Sequence, residues 1–208
     1  MPDQSKTLKS SVLLYLLVMF FLCLGQSAYA ITVIEKSLTQ LLEQSDDVIY
    51  GLVTDIHAEY GEGEASQQIY TYIKFSEVQR IKTPEENNQN EFLLRIAGGR
   101  VGYRAQVIPG APTFQRGERY VLFVKGNNKL AFPLVGVNQG VFRVTYDEIK
   151  KGYRVIFHKR SKKVLEQFRT YRSMESLDNG ASFISLGEFI DVLDSRWQKL
   201  SADQRQNR

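Results

Sequence analysis

Residues 69–78, IYTYIKFSEV, decide the fold class of this 208-residue chain. Apolar and polar side chains alternate along the segment, and one face of the extended chain carries Ile69, Thr71, Ile73 and Phe75. A period of two predicts a β-strand that has one buried face and one face in water. The segment therefore predicts a protein that is mainly β.

Several other short strands flank this segment. Residues 48–56 (VIYGLVTDI) are rich in β-branched and aromatic side chains, and Gly51 among them predicts a bulge or a tight bend. Residues 120–125 (YVLFVK) are apolar on both faces, which predicts a central strand. Weaker strand patterns cover residues 91–97, 130–137 and 140–145, and Pro133 predicts an edge strand or a break in the second of these. No helical crossover separates these segments, so we predict a closed or nearly closed small antiparallel barrel over residues 31–145.

Two helices are predicted near the ends of the folded region. Residues 37–44 have a helical apolar pattern, and Ser37 is a suitable N-cap. Ser185 and Glu188 form a capping-box pattern, after which an amphipathic helix is expected to run to about residue 200.

A basic segment precedes the second helix. Residues 152–158 and 163–168 predict a C-terminal β-hairpin, and residues 150–172 carry nine Lys or Arg against one Glu. Such a charge is typical of a solvated face, or of a contact with an anionic envelope polymer or lipid. Residues 146–208 are thus predicted to form a basic hairpin and a helix that pack on the barrel. The candidate contact residues at the hairpin tip are Lys159, Arg160, Lys162 and Lys163.

The first thirty residues have the pattern of a cleaved export signal. Two lysines precede the apolar run 12–24, and Ala28 and Ala30 match the small residues that a signal peptidase requires. The run is shorter than the roughly 20 residues of a membrane span. We expect cleavage between Ala30 and Ile31, which would remove Cys23 and leave a periplasmic or extracellular chain with no stable membrane span.

The composition excludes several kinds of site. One Cys and two His are too few for a disulfide framework, a thiolate-rich zinc site or a three-imidazole metal centre. His57, His158 and Glu118 lie outside any nucleophile or metal-binding motif, which favours surface and ion-pair roles. We predict no enzyme activity, no cofactor and no metal. The net charge of +4 would suit nucleic acid, but an exported chain is not expected to bind it.

Residues 98–113 (GGRVGYRAQVIPGAPT), here the 98–113 loop, are predicted to be irregular. Glycines permit a positive φ at one end, and prolines stiffen the other. No helix signal follows the glycines, which argues against a phosphate-binding loop. Binding residues are often found on such loops. The candidate contact residues are Gly98, Gly99, Arg100, Gly102, Tyr103, Pro109, Gly110 and Pro112.

Three segments carry a family resemblance: residues 45–53 (SDDVIYGLV), 70–75 (YTYIKF) and 117–123 (GERYVLF), which follow the short helix. Together they resemble the netrin/TIMP-like branch of OB-fold barrels. The pattern is still more similar to uncharacterised bacterial secreted proteins that have a Gly-Gly loop, a Pro-Gly-Ala-Pro element and a Gly-Glu-Arg-Tyr strand start. The resemblance implies an OB-like fold. Because some of those bacterial proteins accompany secreted matrixin-like metalloproteases, it also implies a protease as the partner.

The N-terminus departs from the inhibitors in this family. TIMPs place an N-terminal Cys over the catalytic zinc of the protease, whereas the expected mature chain begins with Ile31 and has no Cys. No inhibitory residue is therefore carried over. The preferred hypothesis is an exported, non-enzymatic module that engages or restrains an extracytoplasmic protease. The alternatives are a binder of anionic envelope glycan or lipid, and a hydrolase whose site, perhaps at His57 or Glu118, is unrecognised.

Overall fold

The computed structural model describes residues 34–82, 89–157, 161–171, 173–176 and 181–206. The expected export signal and its cleavage site between Ala30 and Ile31 lie outside these residues. Lys159 and Arg160 of the expected hairpin, and His158 beside them, also lie outside.

The described chain consists mainly of strands, with three helices. The strands are β1 (Asp47–Tyr60), β2 (Ile69–Lys82), β3 (Phe92–Ala97), β4 (Gly99–Val101), β5 (Arg104–Gln106), β6 (Arg119–Val124), β7 (Val141–Asp147), β8 (Gly152–Phe157), β9 (Glu175–Ser176) and β10 (Ser182–Ser185). The α-helices are α1 (Leu38–Gln44), α2 (Lys162–Glu166) and α3 (Leu186–Gln206), and a 3-10 turn covers Gly63–Ala65.

Eight of these strands form one antiparallel sheet in the order β3-β2-β1-β6-β7-β8-β10-β9, and β4 and β5 form a separate hairpin. Within the described residues the sheet does not close on itself, and β3 and β9 are its edge strands. The predicted mainly-β class is confirmed, and so are the two predicted helices.

The alternation predicted in residues 69–78 is present in β2, where Ile69, Ile73 and Phe75 are buried. The strand β1 pairs with β2 as far as Tyr60, and its register shifts beside Gly51 as predicted. The extra residue of this bulge lies in β2, where Glu77 has a φ of 51°. A bulge bends a strand and increases its twist, so the β1–β2 ribbon can curve.

Two apolar clusters lie on opposite faces of β1 and β6, because successive side chains of a strand point to opposite sides. The helix-side cluster takes Val48 from β1 and Phe123 from β6, and the three helices contribute to it. The ribbon-side cluster takes Ile49 and Leu122 from the same two strands, and it also contains buried residues of β2 and β3. Side chains of β2 and β3 therefore cover one face of β1 and β6, and the helices cover the other face.

Phe189 is at the centre of the helix-side cluster. Its ring centroid lies 5.4 Å from that of Phe142, 5.9 Å from that of Phe157 and 5.2 Å from that of Phe168. The contacts link α3 to β7, to β8 and to the chain after α2. The predicted amphipathic helix thus packs on the sheet through its apolar stripe.

Both predicted helix N-termini are capped. Ser37 Oγ accepts the Gln40 N–H at 3.2 Å, and Gln40 Oε1 accepts the Ser37 N–H at 2.9 Å. At α3, Ser185 Oγ accepts the Glu188 N–H. The return contact of the capping box, from the Glu188 side chain to the Ser185 N–H, runs through the Ser173 hydroxyl instead of being direct. The Ser185 N–H donates to Ser173 Oγ, and that hydroxyl donates to the Glu188 carboxylate.

The predicted basic hairpin is wrong. Residues 162–166 form helix α2 rather than a strand, and β8 pairs with β7 on one side and with β10 on the other. Val164 and Phe168 are both buried in the helix-side cluster. Their spacing of four residues brings them to one face of a helical turn, which an alternating strand reading does not detect.

Two other predictions require correction. Residues 130–137 do not form a strand, and Leu134 makes an isolated bridge with Val124. Pro133, which lacks an N–H donor, immediately precedes it. The 98–113 loop is not wholly irregular, since it contains β4 and β5.

Lys82 joins three elements at the end of β2. Its Nζ donates to the carbonyl oxygens of Leu42 at 2.7 Å and Ser45 at 2.5 Å, at the C-terminus of α1. The ammonium also lies 4.3 Å from the ring centroid of Trp197 in α3. Burial lowers the pKa of Lys82, although nearby carboxylates oppose this effect. A cation at a helix C-terminus is favourable because the last carbonyls carry partial negative charge.

We expect Lys82→Met to lower the free energy of unfolding by about 1–2 kcal/mol, because the side chain loses two hydrogen bonds and keeps its apolar stem. Urea denaturation measures the change. Lys125→Met is the matched control, since Lys125 is exposed, and its effect should stay within about 0.5 kcal/mol. Equal effects of the two substitutions would contradict this role for Lys82.

Candidate functional site

The 98–113 loop leaves β3, crosses the β1–β2 ribbon and forms the β4–β5 hairpin. Gly98 and Gly99 have φ values of 98° and 134°, and Gly102 in the hairpin turn has a φ of 57°. The prediction that these glycines adopt a positive φ is confirmed. Because only glycine enters this region readily, the residue type determines where the chain turns.

Gly99 also has no room for a side chain. A Cβ at this position would lie 2.4 Å from Thr71 Oγ1 and 3.0 Å from Ala58 Cβ. The first distance is far below van der Waals contact. The loop backbone therefore packs directly on the inner side of the ribbon.

Backbone and side-chain hydrogen bonds fix the base of the loop to β2. The Gly98 N–H donates to the Ile69 carbonyl at 2.7 Å, and Thr71 Oγ1 donates to the Gly98 carbonyl at 2.7 Å. The Ile69 N–H donates to Gln106 Oε1 at 2.9 Å. Both ends of the β4–β5 hairpin are thus hydrogen-bonded to β2, through Gly98 at one end and Gln106 at the other.

The hairpin tip is exposed. Tyr103 has a relative exposure of 105%, and Arg100 and Arg104 beside it are also exposed. Val107, just after the hairpin, is 85% exposed. Among the described residues, neither arginine forms an ion pair, and Arg104 donates a long hydrogen bond of 3.4 Å to Gln67. An aromatic ring and two cations without an ion pair are therefore exposed on this hairpin, and the register of β4 with β5 places the two arginines on its opposite faces.

The second half of the loop makes a turn at Pro109 and Gly110. The Ala111 N–H donates to the Ile108 carbonyl at 3.2 Å, and Gly110 has a φ of 82°. Pro followed by a positive-φ Gly is typical of a type II turn. Asn138 Nδ2 donates to the Gly110 carbonyl at 2.6 Å, whereas Pro112 is half-buried after the turn. The structure thus brings the predicted contact residues of this loop into one hairpin and one adjoining turn.

The basic residues are not collected on one hairpin face. Lys162 and Lys163 are exposed in α2. Lys150 and Arg154, however, pair with Glu175, and Arg154 also donates to Asp147 Oδ2 at 2.7 Å. Part of the charge that suggested an anionic ligand is therefore neutralised within the protein.

His57 lies on the outer side of β1. Its Nδ1 is 3.0 Å from Asp55 Oδ2, and its ring stacks on Tyr72 with centroids 5.5 Å apart. The hydrogen bond with His57, supported by Arg116, lowers the pKa of the Asp55 carboxyl group. Both side chains of the His57–Asp55 pair are about half exposed. The pair therefore sits on an open surface.

Glu118 lies beside β6 with both carboxylate oxygens occupied. Arg143 donates to one oxygen, and the Tyr120 hydroxyl donates to the other at 2.5 Å. Burial, and then the contact with Glu118, raises the pKa of Tyr120. Among the described residues, no group of three or more His, Cys, Asp or Glu could hold a metal ion.

A cluster around Arg119 was not predicted from the sequence. Its guanidinium lies 5.7 Å from the ring centroid of Tyr50 and 5.2 Å from that of Tyr153, and it donates to Glu77. Burial raises the pKa of Tyr50. These residues come from four strands, so no local spacing indicates that they meet.

A groove of about 550 Å³ lies between α1, α3 and the chain after α2. Its lining includes Thr39, Tyr171, Val192 and Arg196, and neither His57 nor Glu118 reaches it. The groove therefore offers no enclosed setting for those two candidate catalytic groups.

Comparisons of the chain with protein-family models, characterised proteins and solved structures found no match in any of the three. In the part of the chain that the structure describes, no helix is both long and apolar enough to cross a membrane.

We expect Gly99→Ala to lower the free energy of unfolding by about 3 kcal/mol, because backbone strain is added to the clash with Thr71. It should also speed trypsin cleavage after Arg100 and Arg104. Gly102→Ala is the matched control, since a Cβ there meets nothing within 4 Å, and it should cost about 1 kcal/mol. Equal destabilisation of the two variants, by urea denaturation, would contradict close packing at Gly99.

Proposed function

We propose that this chain is an exported, non-enzymatic binding module that contacts a protein partner through the 98–113 loop. The observation that carries the proposal is the full exposure of Tyr103 on a hairpin whose base is hydrogen-bonded to β2. Residues 1–30 support export by their sequence pattern.

The chemistry of the tip favours a protein interface. Tyrosine and arginine are enriched among the residues that dominate binding energies, and the hairpin exposes Tyr103 at its turn with Arg100 and Arg104 on its two faces. A tyrosine adds a large contact area and has few rotatable bonds to order. Because Gly98 and Gln106 already hold the hairpin, less conformational entropy is lost when the tip binds.

We propose further that the sheet contains an OB-like unit of the netrin/TIMP-like type. OB folds are five-stranded, partly open barrels. The run β3-β2-β1-β6-β7 gives five antiparallel strands, which contribute to the ribbon-side cluster. Beyond this unit, β8, β10 and β9 extend the sheet.

The family resemblance suggests an extracytoplasmic metalloprotease as the partner. The TIMP mode of inhibition needs an anchored N-terminal Cys, which the expected mature chain lacks. We therefore propose that the exposed loop makes the contact, and that no residue of this chain ligates the zinc ion of the protease. A hydrolase remains the competing class, and turnover by the purified chain would favour it.

The anionic-polymer alternative depends on Lys162 and Lys163, together with Lys159 and Arg160 outside the described residues. Internal pairing of Lys150 and Arg154 reduces the charge available for such a contact. Binding of this kind would weaken steeply as salt rises. A contact made largely by Tyr103 would depend much less on salt.

The test compares tagged chains recovered from the host that exports them. We expect the wild-type chain to retain a defined protein at constant stoichiometry, and Tyr103→Ala to weaken that complex about 30-fold, as is typical of a central interface residue. Arg100→Ala combined with Arg104→Ala should weaken it further. Tyr146→Ala is the matched control, because Tyr146 is an exposed tyrosine of β7 outside the loop.

Three results would contradict the proposal. Equal retention by wild type and Tyr103→Ala would exclude the 98–113 loop as the contact. Recovery of no protein would contradict the binding function. Retention of an anionic glycan or lipid that falls with salt, and that charge reversal at Lys162 and Lys163 abolishes, would favour the alternative. If the retained protein is a metalloprotease, its peptidase activity should fall with the wild-type chain and not with Tyr103→Ala.

A further inference from the structure

The second half of β1 has one unpaired edge. Up to Leu52 the strand pairs with β6, and the Val53 N–H still donates to the Glu118 carbonyl. From Asp55 to Tyr60, β1 pairs with β2 alone. This part of the strand therefore has a ladder on one side and an outer edge on the other.

The hydrogen bonds of Ile69 establish which backbone groups face that edge. Its N–H and carbonyl both bind the 98–113 loop, so Ile69 and its partner Tyr60 form a non-hydrogen-bonded pair of the β1–β2 ladder. Antiparallel pairs alternate between the two kinds. The backbone groups of Ile56, Ala58 and Tyr60 therefore point away from β2.

Arg116 supports this assignment. Its Nη2 donates to the Ile56 carbonyl at 2.8 Å, from the side opposite to β2. Within the described chain, no hydrogen bond reaches the outward backbone groups of Ala58 and Tyr60. Exposed edges of this kind are templates for pairing with another strand.

We propose that this edge pairs antiparallel with the same edge of a second copy of the chain, about a two-fold axis at Ala58. The register places Ala58 opposite Ala58, Ile56 opposite Tyr60, and His57 opposite Glu59. All outward N–H and carbonyl groups of the three residues then find partners. The Ile56 carbonyl can accept the new bond and keep Arg116, because a carbonyl has two lone pairs.

The sequence of the edge is complementary to itself in this register, which is why we assign a second copy. His57 and Glu59 fall in a non-hydrogen-bonded pair, where side chains approach most closely. Nδ1 of His57 already contacts Asp55, so Nε2 is the ring nitrogen left to approach Glu59 of the other copy. The two-fold axis repeats this pair, and the small Ala58 side chains of the two copies lie on either side of the axis. An isologous interface requires such self-complementarity.

The inference does not depend on the proposed partner contact, since Tyr103 is not part of the edge. Sedimentation velocity of the processed chain should show a dimer whose fraction rises between about 1 μM and 1 mM. Ala58→Pro should raise the dimer dissociation constant at least about tenfold, because it removes one donor from each copy. The β1–β2 ladder should survive, since proline is tolerated where the N–H faces away from the ladder.

Charge substitutions provide a second test if Ala58→Pro perturbs the fold. His57→Glu places a carboxylate opposite Glu59 in each of the two symmetry-related pairs and should abolish the dimer. His57→Arg places a permanent cation opposite Glu59 and should preserve the dimer. The exchange His57→Glu with Glu59→His should restore the dimer, because the two side chains only change places.

Three outcomes would overturn the proposal. The first is a wild-type chain that stays monomeric up to about 1 mM. The second is a dimer that neither Ala58→Pro nor His57→Glu weakens. The third is a monomer that binds a different protein in a manner that Ala58→Pro and His57→Glu both abolish and Tyr103→Ala does not, since the edge would then accept the strand of that partner. Loss of partner binding in Tyr103→Ala with the dimer intact would separate the two sites.

Discussion

The phase of the β1–β2 ladder is the constraint on which the functional surfaces depend. Ile69 turns its N–H and carbonyl away from β1 and toward Gln106 and Gly98. That orientation fixes the base of the 98–113 loop on one side of the ribbon. By the alternation of the ladder, it also turns the backbone of Ala58 outward on the other side. A one-residue change of register would reverse which backbone groups face away from the partner strand, because the alternation has a period of two.

Much of the fold could be predicted because its signals are local. The period of two in β2, the apolar run of β6 and the Ser37 cap each lie within one short segment. The basic hairpin failed for the opposite reason, since Val164 and Phe168 are buried in the helix-side cluster, where Phe168 packs on Phe189 of α3, 21 positions further along the chain. The extension of the sheet beyond β8 could not be anticipated either, because β10 pairs with β8 although residues 158–181 separate the two strands.

The candidate site was predictable in composition and not in arrangement. Glycines at 98, 99 and 102 indicated a loop with a positive φ, and the structure has it. The hairpin within that loop depends on Gly99 resting against Thr71, a contact between residues 28 positions apart. The cluster of Arg119 with Tyr50 and Tyr153 likewise depends on the order of the strands in the sheet, which no local pattern indicates. Tertiary pairing, rather than residue type, decides which exposed side chains share a surface.

Amide hydrogen exchange at single-residue resolution tests the central claim most directly, namely that the loop is anchored at its base and open at its tip. The account predicts that the amides of Ile69 and Gly98 exchange as slowly as those of the β2 interior, because both donate within the protein. The Gly102 and Tyr103 amides should exchange orders of magnitude faster. If Ile69 and Gly98 exchange as fast as Gly102, the loop is not held by the ribbon, and the account is contradicted.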